Sequence, residues 1–477
     1  MNKIKDLIVS YDFSIKKCLK IINKNARGVC FVLKSNKLVG IATDGDVRRA
    51  MIKGAKFNQS IEKIMNKNFK ALNVHTNEKI IQSNFSDSIK IIPLIDKLGN
   101  LVDFADIYSN HRVPLYQPQL GDRELKYLQD CIKTNWISSQ GKYVKKFELQ
   151  FEQIYKNRHS VAVSSGTTAL HLALLTIGIK KNDEVIIPNL TFAATANSVI
   201  YCGARPVLCD VDKETWVIKT ENIESLITSK TKAIIPVHLY GYPCNMKKIS
   251  KIAKKHKLYL IEDCAEALGS KINNKLVGSF GDIATFSFYG NKTITTGEGG
   301  MLIFKNKKLS SKSKLLRDHG MDSLKKYWHN YVGYNYRLTN LQAAVGVAQM
   351  ERYKEIIKIK IKIAKMYNTN LKNVKGIFQL PKDNKNIVNT FWLYTIILNK
   401  KYNRDQVIKK MLELGIDTRP VFYPLNLMPP YKKYSNKNLK NSELISKYGI
   451  SLPSSLNLDI KDIIHITKTF EKVISTL

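Results

Sequence analysis

The chain lacks several features that would mark particular classes of protein. It has no Cys-x-x-Cys pair, and its seven cysteines are scattered along 477 residues. Zinc ribbons and dithiol redox motifs therefore have little support, and we expect no metal site. Most of these cysteines lie in apolar runs, so we expect small core residues in a reducing compartment.

Long apolar segments are also scarce. The N-terminal segment has no apolar stretch followed by a small-residue cleavage site, as a signal peptide would have. The longest uncharged run, 185–204, could span a bilayer by its length, but it contains a proline and two asparagines. A buried strand, a loop and a helix start explain it better. We therefore expect a cytoplasmic protein without a membrane span.

Acidic residues are few, with 39 Asp and Glu against 77 Lys and Arg, which gives a net charge of +38. Such a balance raises the hypothesis of nucleic-acid binding. The lysines are spread over all regions, however, and runs such as 358–365 look like solvated helix faces. We expect no nucleic-acid partner; DNA binding that weakens steeply with salt would favour this alternative. A diffuse positive field would equally attract a phosphorylated small molecule.

The chain does have the composition and length of a multidomain globular protein, with 44% hydrophobic and 24% charged residues. Residues 1–113 contain two weakly similar halves, each with a helix-like segment, a pair of β-rich runs and an acidic turn. Hairpin turns are predicted at Ser35-Asn36 and Gly99-Asn100. A linker rich in proline and glycine follows at 111–124.

After the linker, short β-rich runs alternate with helical patterns, which predicts a mostly parallel sheet with helices on both faces. From about Ile359 the pattern changes to long helices and then to "TFWLYTIIL" and "TRPVFYP". We therefore predict an α/β domain at 114–365 and a small C-terminal α+β domain at 366–477.

Polar residues follow several of the predicted strands, where ligands of open α/β sheets bind. In "VAVSSGTTALHLAL" a strand ends, Gly166 turns, and Thr167 and Thr168 cap an apolar helix. Backbone N–H groups at a helix N-terminus form an anion site. Threonine hydroxyls at such a position, however, usually only cap the helix. The pattern therefore raises the hypothesis of a phosphate site.

Three further junctions carry residues with chemical potential. Phe192 could pack in the core or stack on a planar ring. Asp263 could cap a helix or pair with a protonated ring nitrogen. Ser287 precedes Lys292, and an amine held among apolar and hydroxyl groups is a better nucleophile because its ammonium form is disfavoured. Together these residues meet the requirements of pyridoxal phosphate (PLP).

The motifs of the C-terminal three quarters of the chain resemble those of a known protein family. Residues from about 115 to 477 resemble the DegT/DnrJ/EryC1/StrS sugar aminotransferases, which have the aspartate aminotransferase architecture, fold type I. The motifs that carry the resemblance are "SSGTTALHLAL", "DEVIIPNLTFAATANSV", "PVHLYG", "IEDCAEALGS", "TFSFYGNKTITTGEGGM" and "GYNYRLTNLQAAVG".

The resemblance implies a role for each matching residue. Lys292 would bond covalently to PLP, and a lysine rather than a histidine there favours transamination. Asp263 would pair with the pyridine nitrogen, Phe192 would stack on the ring, and Glu266 would lie near the phenolic oxygen. Asn335 would reach the phosphate from the neighbouring subunit of an obligate homodimer. The remaining cofactor contacts, mostly to the phosphate, would be Ser165, Gly166, Thr167 and Ser287.

The finer motifs resemble family members that use GDP-4-keto-6-deoxy-D-mannose as amino acceptor and L-glutamate as donor. The order of events would be two half-reactions with Lys292 as general base and acid. A UDP- or dTDP-linked 4-keto sugar is the alternative acceptor. The expected substrate contacts, any of which could instead be packed or solvated residues, are His238, Asn291, Tyr331, Arg337, Arg419 and Tyr423.

The first 113 residues resemble a tandem pair of CBS modules, a family that binds adenine nucleotides between its repeats. The segment "GIATDGDVRR" carries the resemblance, and Thr43, Asp44 and Asp46 match positions used on ribose and phosphate. The second half has "VDFADIYS" instead. A degenerate module kept for packing or oligomerisation, or a nucleotide sensor with a non-catalytic aminotransferase-like domain, are the alternatives.

Overall fold

A computed structural model describes residues 4–25, 27–74, 76, 78–86, 89–106, 113–322, 324–435 and 439–477. The chain divides into two compact units, 1–113 and 114–477. Residues 107–109, which end the "VDFADIYS" run, and 111–112 of the predicted linker lie outside the described residues.

The N-terminal unit contains two small sheets that share one pattern of strand pairing. The first half has β1 Ile8–Ser10, α1 Ile15–Asn25, β2 Val29–Lys34, β3 Lys37–Thr43 and α2 Asp44–Ile52, and the second has β4 Leu72–Asn73, α3 Glu78–Ser83, β5 Ile91–Ile95 and β6 Leu101–Asp106. In each sheet the first strand is parallel to the second and the second is antiparallel to the third. The predicted turns are present, with positive φ at Ser35, Asn36 and Gly99.

The predicted nucleotide residues of this unit lie where α2 begins. The Thr43 hydroxyl accepts from the Asp46 N–H at 3.1 Å, and the Asp46 carboxylate accepts from the Thr43 N–H at 2.8 Å. Thr43 and Asp46, two of the three predicted nucleotide-binding residues, therefore bond to each other in a capping box at the N-terminus of α2. Asp44 is exposed, 3.9 Å from Arg48. Nucleotide binding stays a prediction.

The large C-terminal unit is built on a seven-stranded sheet. Its first elements are α4 Asp122–Lys133, α5 Lys142–Ile154, β7 His159–Val163, α6 Gly166–Thr176, β8 Glu184–Pro188, α7 Ala194–Tyr201, β9 Arg205–Cys209, β10 Thr231–Ile234, α8 Met246–Lys255, β11 Tyr259–Asp263, β12 Lys271–Ile272, β13 Lys275–Leu276, β14 Ile283–Ser287, β15 Gly300–Phe304, α9 Lys307–Arg317 and α10 Asn340–Glu351. The strand order is β7-β15-β14-β11-β10-β8-β9. Within this sheet, as described, β15 runs in the direction opposite to the other six strands.

Helices cover this sheet with apolar side chains, as the predicted α/β layers require. One core packs α6 and α7 onto it, with buried residues such as Leu172 and Val199. Another packs α5 and α10, with Phe147 and Val347. The carboxyl ends of β7, β11 and β14 share one edge, because β7 and β14 both run antiparallel to β15 and β11 is parallel to β14. That edge carries the site described below.

The chain continues through α11 Tyr353–Leu371, β16 Ile377–Gln379, β17 Ile387–Val388, β18 Tyr394–Leu398, α12 Arg404–Glu413, β19 Arg419–Pro420, α13 Lys440–Tyr448, β20 Gly449–Leu452 and α14 Ile460–Ser475. The antiparallel sheet β16-β18-β20-β19, with α11, α12 and α14, forms the small α+β part. The predicted boundary at 365/366 falls inside α11, which continues without interruption. A helix therefore joins the two parts, and the division at that position stays a prediction.

Candidate active site

A cleft of about 480 Å³ lies at the shared edge of β7, β11 and β14. Side chains that follow those strands line it together with residues of β19 and of the loop after β14. Ten residues predicted from the sequence are among those that line it: Ser165, Gly166, Thr167, Phe192, Asp263, Glu266, Ser287, Asn291, Lys292 and Arg419.

One end of the cleft is formed by the N-terminus of α6. Ser165 caps this helix, since its hydroxyl accepts from the Thr168 N–H at 3.1 Å, so the cap is Ser165 and not the predicted Thr167 and Thr168. A Cβ placed on Gly166 would lie 2.7 Å from the Ser287 Cβ. Glycine therefore lets the helix end and the Ser287 hydroxyl approach each other, which forms a cradle for an anion.

Lys292 lies deeper in the cleft, with 12% of its side chain exposed. Its Nζ is 3.7 Å from Glu266 Oε1 and 3.8 Å from the centroid of the Trp392 ring. Burial lowers the pKa of the amine below its ordinary value of 10.5, although the carboxylates of Glu266 and Asp263 partly offset this. A larger fraction of the amine is therefore unprotonated and nucleophilic at neutral pH.

The loop that carries this lysine is tied to other segments through its backbone. The Tyr116 hydroxyl donates to the Lys292 carbonyl at 2.8 Å, and Trp392 Nε1–H donates to the Asn291 carbonyl at 2.6 Å. Two side chains remote in sequence thus fix the two carbonyls on either side of the Lys292 Cα.

Asp263 is the last residue of β11 and is 4% exposed. Thr195 Oγ1–H donates to its Oδ2 at 3.0 Å, and the Ala265 N–H donates to its Oδ1 at 3.1 Å. Burial raises the pKa of this carboxyl, and those two hydrogen bonds oppose the rise. Each carboxylate oxygen keeps a lone pair, so the group can accept a hydrogen bond from a protonated ring nitrogen.

Glu266 is a second buried carboxyl beside Lys292. The Tyr240 N–H donates to its Oε2 at 2.7 Å. Burial raises the pKa of Glu266 to about 7, and the nearby Lys292 ammonium limits the rise. Near neutral pH the carboxyl therefore holds a proton part of the time. A protonated Glu266 carboxyl would not repel the phenolic oxygen of PLP that the family resemblance places near it.

The cleft therefore offers an anion cradle, a buried amine and a buried carboxyl along one continuous surface. Phe192 adds an aromatic ring that is 58% exposed and free to stack on a planar ligand. These groups correspond to the phosphate, the aldehyde, the pyridine nitrogen and the ring face of PLP. The residues present fit that cofactor.

His238 does not line the cleft, and the expected substrate contact there was wrong. The residue is completely buried. Its Nδ1 accepts from the Cys244 N–H at 3.0 Å, so Nε2 carries the proton and donates to Glu262 Oε2 at 3.2 Å. Glu262 also accepts from the backbone N–H groups of Gly278, Phe280 and Gly281. His238 thus belongs to a saturated hydrogen-bond network inside the sheet.

Four other predicted residues lie outside the cleft lining of this chain. Tyr331 and Tyr423 are exposed, and the guanidinium of Arg404 lies 5.7 Å from the Tyr423 ring centroid. Arg337 pairs with Asp318 at 2.9 Å and donates to Asn335 Oδ1 at 3.1 Å. Their predicted roles in substrate and phosphate binding stay predictions.

Sequence reasoning missed three residues that shape the cleft. Trp392 lies in "TFWLYTIIL", which reads as an apolar strand, yet its ring contacts the Lys292 amine. Thr195 looks like an ordinary helix residue but donates to Asp263. Tyr240 has φ 50 and offers its backbone N–H to Glu266. No local pattern reports such contacts, because each joins segments far apart in the chain.

Comparisons with known proteins extend these observations. The model of the DegT/DnrJ/EryC1/StrS aminotransferase family matches residues 118–471, and that of the CBS domain matches residues 1–53. GDP-perosamine synthase from Escherichia coli O157:H7 is 44% identical over 364 residues, which cover 76% of this chain and 99% of that protein. GDP-perosamine synthase from Caulobacter vibrioides is 44% identical over 365 residues, covering 76% and 98%.

A solved structure gives the same result for the fold. Helicobacter pylori PseC, an aminotransferase involved in the biosynthesis of pseudoaminic acid, superposes with a TM-score of 0.73 at 27% identity, over 77% of this chain and all of that one. The predicted fold class is confirmed. None of the helices within the described ranges is long and apolar enough to cross a membrane.

Proposed function

Because this chain belongs to the DegT/DnrJ/EryC1/StrS family of PLP-dependent sugar aminotransferases, we propose that it transfers the amino group of L-glutamate to the C4 ketone of GDP-4-keto-6-deoxy-D-mannose. The product would be GDP-perosamine, used in surface polysaccharide. The observation that carries the proposal is the buried Lys292 amine, in one cleft with the Asp263 carboxyl and the cradle of Gly166 and Ser287.

The cofactor would be held by the chain's own groups. The N-terminus of α6 and the Ser287 hydroxyl would bind the phosphate, Phe192 would cover the ring and Asp263 would hold a proton on the pyridine nitrogen. When bound, PLP supplies an electron-accepting ring that stabilises negative charge on the carbon losing its proton.

Lys292 would then act as general base and acid. Its Nζ takes the proton from the α-carbon of glutamate in the first half-reaction and returns a proton to C4 of the sugar in the second. Its lowered pKa suits both tasks, since the amine must be unprotonated for one step and protonated for the other. Burial raises the pKa of Glu266 to about 7, so this carboxyl can hold or release a proton beside Lys292 and buffer the exchange.

The GDP-linked sugar is supported by the names of relatives that are 44% identical over 76% of the chain. Arg419 and Asn291 line the cleft and offer forked and amide donors to a phosphate or carboxylate. UDP- and dTDP-linked 4-keto sugars remain the alternative acceptors.

The test is an assay of purified protein with PLP, glutamate and each of the GDP-, UDP- and dTDP-linked 4-keto sugars, with the aminated product detected by mass spectrometry. We expect turnover with the GDP sugar and at least a tenfold preference for it (about 1.4 kcal/mol). Lys292→Ala should abolish turnover, whereas Lys307→Ala, which changes an exposed lysine at the start of α9, should not. Full activity of the Lys292 variant would refute the assignment.

The protein is further proposed to work as a homodimer in which Asn335 completes the partner's site. Several large apolar side chains near Asn335 are exposed in the single chain: Leu324, Tyr327, Trp328, Tyr331 and Val332. Such a surface favours burial against another copy. Mixing the Lys292→Ala and Asn335→Ala proteins under exchange conditions should restore activity, because one of the two shared sites is then intact. Two variants that stay inactive after verified exchange would count against shared sites.

The N-terminal unit is proposed to bind an adenine nucleotide at Thr43, Asp44 and Asp46. Its support is the match of the CBS domain to residues 1–53 and the exposed Asp44 carboxylate at the start of α2. Titration of AMP, ADP and ATP against wild type and Asp44→Ala, with binding and turnover both recorded, separates a regulated catalyst from a non-catalytic sensor. Binding lost in the variant supports the site; no binding to the wild type rejects it.

A further inference from the structure

Lys360 is a buried lysine in α11, within the run that the sequence suggested was a solvated helix face. It is 1% exposed, so that prediction was wrong at this position. Among the described residues no carboxylate acts on it, and burial lowers the pKa of Lys360 to about 7. Burying an amine without an acidic partner costs free energy, so other contacts must stabilise Lys360 at this position.

The Lys360 amine donates hydrogen bonds to two backbone carbonyls. Its Nζ donates to the Trp392 carbonyl at 2.8 Å and to the Ser454 carbonyl at 2.7 Å. The Tyr116 ring lies on a third side, with Nζ 5.0 Å from its centroid. The Ser454 N–H in turn donates to the Leu115 carbonyl at 2.7 Å. One amine therefore gathers three segments that are far apart in sequence.

Two of those segments hold the loop of the cleft lysine. The Tyr116 hydroxyl donates to the Lys292 carbonyl and Trp392 Nε1–H donates to the Asn291 carbonyl. The Trp392 ring also lies 3.8 Å from Lys292 Nζ. The path from Lys360 to Lys292 thus passes through a single intervening residue on either route.

We propose that Lys360 is a positioning residue: by fixing Trp392 and Tyr116, it sets the place and hydration of the Lys292 amine. The proposal rests on the role of Lys292 given above. Among the described residues, the charged groups that act directly on the Lys292 amine are the carboxyls of Glu266 and Asp263. Lys360 acts on neither of these carboxyls. It fixes Trp392 and Tyr116, the two side chains that contact Lys292.

Lys360→Met tests this, because methionine fills similar space and removes the N–H donors. The matched control is Lys362→Met, an exposed lysine on the same helix. The first readout uses cofactor-free protein: acetic anhydride labelling of Lys292 at a series of pH values, quantified by peptide mass spectrometry. The second is the affinity for PLP with borohydride trapping on Lys292, and the third is kcat and KM for glutamate.

In Lys360→Met, Trp392 and Tyr116 are no longer held in place and water reaches the Lys292 amine. The labelling midpoint of Lys292 should therefore rise toward 10.5. The value of kcat should fall between about 10- and 100-fold, with little change in KM. Lys362→Met should match wild type in all readouts. A folded Lys360→Met protein with wild-type labelling midpoint, PLP affinity and kcat would overturn the proposal.

If Lys360→Met does not fold, Trp392→Phe and Tyr116→Phe decide, since each removes one hydrogen bond to the 291–292 backbone. A raised labelling midpoint in at least one supports the proposal, and an unchanged midpoint in both overturns it. Wild-type protein that never traps PLP on Lys292 would instead reject the proposed function, and the labelling midpoints would still test the role of Lys360.

Discussion

Replacing Glu266 with glutamine should make the Lys292 amine easier to deprotonate. The two side chains are buried and their charged atoms lie 3.7 Å apart. The Glu266 carboxylate stabilises the ammonium form and so raises the pKa of Lys292 above the value that burial alone would give. Glutamine has nearly the same shape but carries no charge, so this support is lost.

The size of the effect follows from the separation. Two unit charges at that distance attract by about 1 kcal/mol with the dielectric of water and about 4.5 kcal/mol with an effective dielectric of about 20. At about 1.4 kcal/mol for each pKa unit, the pKa of Lys292 should fall by between about 1 and 3. The carboxyl of Glu266 has a pKa of about 7, so the support exists in wild type mainly above that pH.

The measurement is the same acetylation of Lys292 in cofactor-free protein, over pH values above and below 7. We expect the labelling midpoint of Glu266→Gln to lie at least about one pH unit below that of wild type. Glu298→Gln is the matched control, since Glu298 also lines the cleft but is not among the carboxylates that act on Lys292. An unchanged or higher midpoint in Glu266→Gln, with the control at the wild-type value, would refute the reasoning.

Three further substitutions test other parts of the site. Gly166→Ala should weaken PLP binding measured by absorbance titration, because its Cβ would meet the Ser287 Cβ at 2.7 Å; unchanged affinity would reject the cradle. Asp263→Asn should lower kcat by at least about 100-fold while PLP still binds; near-normal kcat would remove its role. His238→Leu should lower the free energy of unfolding by at least about 1.5 kcal/mol, measured by denaturant titration, since Glu262 loses a donor; unchanged stability would contradict the network.

Much of the fold could be predicted from the sequence because the sheet is built from short apolar runs. Six of the seven strands of the large sheet lie in short β-rich runs of the kind that predicts strands, namely "VAVSS", "DEVIIP", "ARPVLCDVD", "KAIIPVHL", "LYLIED" and "IATFSF". The seventh, β15, begins at Gly300, the last residue of the glycine-rich segment "TTGEGG", and was not predicted as a separate strand. Its antiparallel direction depends on the pairing with β7 and β14, which no local pattern specifies. The direction of β15 is therefore set by long-range strand pairing and could not be predicted from the periodicity of the sequence.

Within the site, residues placed by the backbone were predicted better than residues placed by packing. Asp263 and Ser287 end strands and Gly166 begins a helix, so their side chains or backbone meet at the sheet edge whatever their neighbours are. His238 follows β10 by a few residues, and only the tertiary structure shows that its ring turns into the core.

Glu262 and Asp263 show why adjacent carboxylates can differ so much. Successive residues of a strand point to opposite faces. Glu262 turns into the network of His238 and three backbone N–H groups, and these donors hold its pKa below the ordinary value despite complete burial. Asp263 turns into the cleft with two donors, and burial raises its pKa. A buried carboxylate with every acceptor occupied can only stabilise the fold, whereas one with accepting capacity left can bind a ligand. The number of donors around each group, and not its residue type or its place in a motif, separates the structural acid from the one available for chemistry.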